Sequence, residues 1–196
     1  LGPAWVQVHR SGGCGDWWCP PPDVVISDQR AYALLRYNTR GLVVYRPAGL
    51  DLADYVVEAQ LMYYSEGVGW WNPSFLAGIG LRMQNETNLY AVGFGKEWRA
   101  GQSWDGNIHL NLVKFSGDTV TVLQSVPLGS DVGSHLLSLK VAVKGNRIQV
   151  YRDGNLVFDV TDSTFATGPP GLYIRNTVNN GKVEWRADDF TVTTAP

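Results

Sequence analysis

From one turn signal to the next, apolar and polar residues alternate with period two, and no stretch carries the 3.6-residue period of a helix. Successive side chains of an extended strand point to opposite faces, so this pattern commits the chain to sheets with one buried side. In 57–63, Val57, Ala59, Leu61 and Tyr63 share a face, while Glu58 and Gln60 point the other way. The run 76–83 sets Ala77, Ile79, Leu81 and Met83 against Gly78, Gly80 and Arg82. Ile108, Leu110 and Leu112 alternate with His109 and Asn111. Leu139, Val141 and Val143 lead through Gly145-Asn146 into 148–152, and Asp153-Gly154 leads into 156–160. Such dipeptides mark tight hairpins, so 139–160 reads as a three-stranded meander. Ser116-Gly117-Asp118 is a similar signal between 113–115 and 120–122. Near the C-terminus Val183, Trp185 and Ala187 share a face, but Phe190 and Val192 are one position out of phase. One extra residue around Asp188-Asp189 restores the inward face, so a β-bulge is expected there.

About a dozen short strands with regular turn signals predict a two-sheet antiparallel β-sandwich, a jelly roll. No linker, low-complexity run or internal repeat divides the 196 residues, so one domain over 1–196 is expected. With 16 basic and 18 acidic residues, the chain has no basic stripe for nucleic acid or an anionic membrane. Apolar runs are only a few residues long, which excludes a membrane-spanning helix. The first residue is Leu, so a processed protein or an excised domain is expected. Charged residues make up 17%, against about 25% in ordinary domains. Aromatics reach 12%, with eight Trp.

Cys14 and Cys19 bracket a short Gly/Pro-bounded loop. They read as a disulfide, and hence as a mark of an oxidising, extracellular or cell-surface location. The other reading is half a zinc site, for which two further ligands at tight spacing are missing: His9, His109 and His135 are scattered. Asn85-Glu86-Thr87 fits the N-glycosylation acceptor pattern.

The segments 137–162, 168–174 (Gly-Pro-Pro-Gly-Leu-Tyr-Ile) and 183–192 (Val-Glu-Trp-Arg-Ala-Asp-Asp-Phe-Thr-Val) resemble the concanavalin A-like lectin/glucanase superfamily, especially its laminin-G-like sugar-binding sandwiches. The run 50–59 is similar to the segment leading into that family's first long core strand. The likeness extends over roughly 42–194. It implies a concanavalin A-like sandwich, a polysaccharide or glycan as partner, and a setting among other domains of a larger extracellular protein. It also implies a structural calcium near the closing strand, with Asp189 similar in position to the aspartate used there. Asp188 and Asp189 read equally as exposed residues of the bulge.

The superfamily includes glycosidases, which generally work with two carboxylates on either side of the scissile bond. The five Glu are 58, 66, 86, 97 and 184, and no two lie within six positions of each other. The close pairs Asp51/Asp54, Asp159/Asp162 and Asp188/Asp189 read as turn, strand-end and bulge residues. The enzyme therefore ranks below a non-catalytic lectin-like module, and a structural or adhesive surface protein ranks third.

Trp5 and Trp185 lie in strand-like contexts and read as core. Trp17, Trp18, Trp70, Trp71, Trp98 and Trp104 lie in Gly/Pro/polar stretches, where they either pin loops to the sandwich or offer platforms for sugar rings. The segment 96–107 is the densest, and is expected to form one wall of a binding site. Trp98 and Trp104 would stack on sugar rings, and Arg99, Gln102 and Asp105 would bond hydroxyls. A second candidate is the face bearing Gly78, Gly80 and Arg82, where glycines leave a trough and the Arg82 fork suits paired hydroxyls or a sugar carboxylate. His109 reads as a solvated strand histidine on that side.

Overall fold

The computed structural model describes residues 5–12, 23–27, 30–35, 41–47, 49–50, 52–66, 75–96, 107–130, 133–176 and 182–195. No helix occurs among the described residues. Among the described residues fourteen strands form two sheets, and every pairing between them is antiparallel. The first sheet orders β1 (Trp5–Gly12), β4 (Gly41–Pro47), β13 (Gly171–Asn176), β6 (Phe75–Leu81), β7 (Asn88–Lys96), β8 (Asn107–Ser116) and β9 (Thr119–Ser130). The second orders β12 (Asn155–Thr161), β11 (Arg147–Arg152), β10 (Gly133–Lys144), β5 (Tyr55–Glu66), β14 (Lys182–Thr194), β3 (Arg30–Leu35) and β2 (Asp23–Ser27). The expected two-sheet sandwich is the fold observed.

Alternation decides which side chains meet between the sheets. Val57, Ala59, Leu61 and Tyr63 of β5 are buried there with Ala77, Ile79 and Leu81 of β6. Ile108, Leu110 and Leu112 of β8 and Leu139, Val141 and Val143 of β10 complete the centre of this core. Trp185 is fully buried in it, as its strand context implies. The meander forms with its tight turns at Gly145-Asn146 and Asp153-Gly154. Asp153 and Gly154 both have positive φ, +50° and +80°, the pattern of a type I′ hairpin turn.

The bulge also forms. Pairing of β14 with β5 jumps from Asp188 opposite Gln60 to Thr191 opposite Glu58, so three steps on one strand match two on the other. Asp189 takes up the surplus at φ +53°, and Phe190 turns into the core.

One alternation breaks where the sequence shows no sign of it. Met83 does not continue the core face of β6; it belongs to a second apolar cluster with Leu76, Leu89, Ala91, Val113, Phe115 and Tyr173. Arg82, just past the end of β6, has φ +46°. That left-handed residue reverses the phase, so Arg82 is buried and Met83 emerges on the other face.

Candidate functional site

Strand direction sorts the connections onto two edges of the sandwich. Antiparallel pairing brings Gly12, Glu66, Lys96, Asn107, Asn176 and Lys182 to one edge. Those ends flank 13–22, 67–74 and 97–106, which carry six of the eight Trp. Trp17, Trp18, Trp70, Trp71, Trp98 and Trp104 lie outside the described residues, as do Arg99, Gln102 and Asp105, and Cys14 and Cys19. Beneath this edge the core is aromatic. Tyr63 stacks on Phe75 at 5.2 Å between ring centroids and on Phe94 at 5.6 Å, joining the two sheets.

At the opposite edge lies Arg82, and here the sequence expectation is corrected. Its guanidinium does not face outward as a fork for sugar; it is fully buried. It donates to the carbonyls of Phe165 (2.9 Å), Ala53 (3.0 Å) and Gly145. The Asp54 carboxylate lies 3.6 Å away and itself accepts from the Gly145 N–H at 2.8 Å. The Arg82 N–H donates to the Tyr55 hydroxyl at 2.8 Å, and burial pushes that phenol well above its ordinary range. One side chain thus ties together the approach to β5, the β10–β11 turn and the crossover 162–170.

A second tether holds the same crossover. Asp162 accepts from the Tyr90 hydroxyl (2.6 Å), the Thr164 N–H (2.9 Å) and Lys114 Nζ (2.6 Å). Partial burial alone would raise the Asp162 carboxyl. Lys114, with the Thr164 and Tyr90 hydrogen bonds, outweighs it and holds the group far below the usual carboxylate range. Tyr90 is shifted upward, first by burial and then by the Asp162 carboxylate it donates to. These groups fasten chain to chain.

The outer face of the first sheet is built from small, aromatic and a few polar residues. Register sets Tyr173, Gly78, Gly93, Asn111 and Ser125 in one row across five strands. Arg175, Leu76, Gly95, His109 and Pro127 form the next. Gly78 and Gly93 are opposed so closely that a Cβ on Gly93 would lie 2.2 Å from the Ala77 carbonyl oxygen. The expected trough over Gly78 and Gly80 is closed: a Cβ on Gly78 would lie 2.2 Å from the Val92 carbonyl oxygen. A Cβ on Gly80 would meet Met83 Sδ at 2.8 Å. Phe115 and Tyr173 bring their rings to 5.0 Å across the two intervening strands. Neighbouring strands are about 4.8 Å apart, so these rings meet by leaning over the small residues between them.

Arg175, half-buried, lies over the Phe115 ring at 5.2 Å. Asn111 is buried and donates to the Gly95 carbonyl at 3.1 Å. His109 is half-buried in the adjoining row. Sequence reading placed His109 and Asn111 on this face but passed over Arg175, Phe115 and Tyr173. Only strand order shows that β13 and β8 share it.

Asp189 is exposed on the bulge, and its N–H donates to the Asp188 carboxylate at 2.9 Å. Among the described residues no three His, Cys, Asp or Glu side chains gather. Calcium takes six to eight oxygens. The residues described around Asp189 therefore do not fit the ion.

Two antiparallel seven-stranded sheets packed about one core define a β-sandwich of the jelly-roll kind. Solved structures share this fold. The carbohydrate-binding module CBM66 from Bacillus subtilis matches at TM-score 0.64 and 16% identity, covering 98% of this chain and 97% of that one. The Emp47p carbohydrate recognition domain matches at TM-score 0.55 and 14% identity, covering 98% and 89%. The VIP36 exoplasmic/lumenal domain, in its Ca2+/Man3GlcNAc-bound form, matches at TM-score 0.54 and 12% identity, covering 89% and 82%. No family model and no curated protein matches the chain.

Proposed function

We propose that this chain is a non-catalytic carbohydrate-binding module of an extracellular or cell-surface protein. The observation that carries the reading is the convergence, at one edge of the sandwich, of the strand ends that flank all three segments rich in Trp. An indole face stacks on the C–H face of a sugar ring, while neighbouring polar side chains bond its hydroxyls. In this reading Trp98 and Trp104 are the platforms, and Arg99, Gln102 and Asp105 are the hydroxyl partners. Solved proteins of the same fold supply support: two of those above are by name a carbohydrate-binding module and a carbohydrate recognition domain.

The absence of catalysis is argued from carboxylates. The strands of the first sheet contain no Asp or Glu, and the five Glu of the chain are dispersed, whereas a glycosidase works with a pair of carboxylates about the scissile bond. The adhesive reading wants an exposed apolar patch. The large apolar residues exposed among those described are Leu136 and Leu156.

A glycan array on the isolated chain tests the reading, followed by calorimetry of Trp98→Ala and Trp104→Ala. Each stacked ring contributes about 1–3 kcal/mol, by analogy with bases on aromatic platforms, so each variant is expected to bind roughly tenfold to a hundredfold more weakly. A blank array removes the proposal. Unchanged affinity in both variants moves the site off 97–106.

A further inference from the structure

The two sheets differ in charge. No Asp or Glu occurs on the strands of the first. Those of the second carry Asp23, Glu58, Glu66, Asp159, Glu184 and the Asp188-Asp189 pair. The basic residues Arg147 and Lys140 of the second sheet are paired with Asp159 and Glu58 on its own strands. Arg175 of the first sheet has no such neighbour, and among the described residues it makes no hydrogen bond or ion pair.

Its position adds to this. The guanidinium carbon lies 5.2 Å from the Phe115 centroid, and Phe115 is itself packed against Tyr173 at 5.0 Å. Attraction to the ring face holds the cation in place and leaves its N–H groups uncommitted. A planar fork of donors matches the two oxygens of a carboxylate or two oxygens of a sulfate, and a charged partner strengthens each bond. The chain as a whole carries net charge −2, so general attraction between opposite charges does not favour an anion. A local cation on a sheet without carboxylates does.

We infer that Arg175, half-buried on the outer side of the first sheet, recognises an anionic sugar by receiving the carboxylate of a uronate or the sulfate ester of a sulfated residue. This rests on the carbohydrate-binding reading and narrows it to a ligand class.

The test is affinity electrophoresis and calorimetry with two matched pairs of polymers. Polygalacturonate is set against its carboxyl-reduced neutral form, and dextran sulfate against dextran. The parent is compared with Arg175→Gln, Arg175→Lys and Arg152→Gln, with thermal unfolding to confirm that each variant folds. The parent is expected to bind an anionic polymer and not its neutral partner; polygalacturonate alone identifies the carboxylate, dextran sulfate alone the sulfate ester. Arg175→Gln is expected to bind roughly tenfold to a hundredfold more weakly. Arg175→Lys is expected to fall between, because it keeps the charge and loses the fork. It also carries the test should Arg175→Gln not fold. Arg152→Gln removes an equal charge from the second sheet and is expected to bind like the parent. Equal binding to charged and neutral polymers, or an equal loss in Arg175→Gln and Arg152→Gln, overturns the inference. So does a glycan array populated by neutral sugars alone, which leaves the carbohydrate-binding reading standing, whereas a blank array removes both.

Discussion

β5 and β6 are consecutive strands with the same apolar face and opposite surroundings. In β5, Glu58 and Gln60 alternate with the core residues and stand in water, the familiar half-solvated strand. In β6 every residue is buried, and the positions between core residues are Leu76, Gly78 and Gly80. Small residues in the second case are not openings for a ligand; they make room for Met83 and for rings that lean in from other strands. Period two therefore reports which face a residue occupies and leaves open what covers that face.

The largest expected effect tests the edge where β6 ends. Arg82→Ala removes a buried cation and leaves the Phe165, Ala53 and Gly145 carbonyls without their donor. It is expected to destabilise by about 3 kcal/mol or more in denaturant titration, because each buried carbonyl left without its donor costs about 1–3 kcal/mol. Arg147 of β11 also bonds an aspartate, Asp159, but on an exposed surface. Arg147→Ala is expected to leave the midpoint near the parent's. Similar losses in the two variants would erase the distinction between the sheets.

Gly93→Ala comes next. Its Cβ would lie 2.2 Å from the Ala77 carbonyl oxygen and 2.7 Å from Gly78 Cα, so backbone must shift. A loss of about 1–3 kcal/mol is expected, as for overpacked cores. Gln60→Ala on the solvated face of the second sheet is expected to change stability by no more than about 0.5 kcal/mol. Tolerance of Ala at position 93 would show that β6 and β7 stand further apart than described.

The third expectation concerns pH and the Asp162 tether. The folded carboxyl titrates below the unfolded one, whose pKa is about 3.9. Its contribution is complete above the unfolded value and is lost as pH falls from about 4 through the depressed folded value, because the unfolded chain takes up the proton first. Asp162→Asn is expected to be less stable than the parent at pH 6, and to converge with it as the pH approaches 2. Parallel curves from pH 6 to pH 2 would separate Asp162 from acid denaturation.

The smallest effect belongs to the bulge. Asp189→Gly keeps the φ of +53° that an L-residue adopts with difficulty, and is expected to be neutral to slightly stabilising in thermal unfolding. A clear loss would assign the Asp189 side chain a role beyond the turn.

Several elements were legible in the sequence because their signals are local. The meander follows from two turn dipeptides, and the bulge from a single phase slip between Ala187 and Phe190. The alternation in β5 and β10 reports their buried faces. Arg82 escaped because the phase reversal occurs at one non-glycine residue with a left-handed backbone, which composition does not mark. Arg175 and Phe115 escaped for another reason: they lie sixty residues apart in sequence and meet only through the strand order β13-β6-β7-β8. The charge difference between sheets was hidden in the same way, since chain order interleaves strands of both.

The bonds of Arg82 also bear on time. They join residue 82 to positions 53, 145 and 165, so they close only after both sheets have formed and met. Such long-range closure belongs after the rate-limiting step of a β-sandwich, whose folding is already slow because its pairings are distant in sequence. Loss of the guanidinium should then leave the refolding rate near the parent's and appear as faster unfolding, visible as a raised unfolding arm in stopped-flow kinetics. The arginine works as a clasp, fastened last and deciding how long the closed sandwich stays closed.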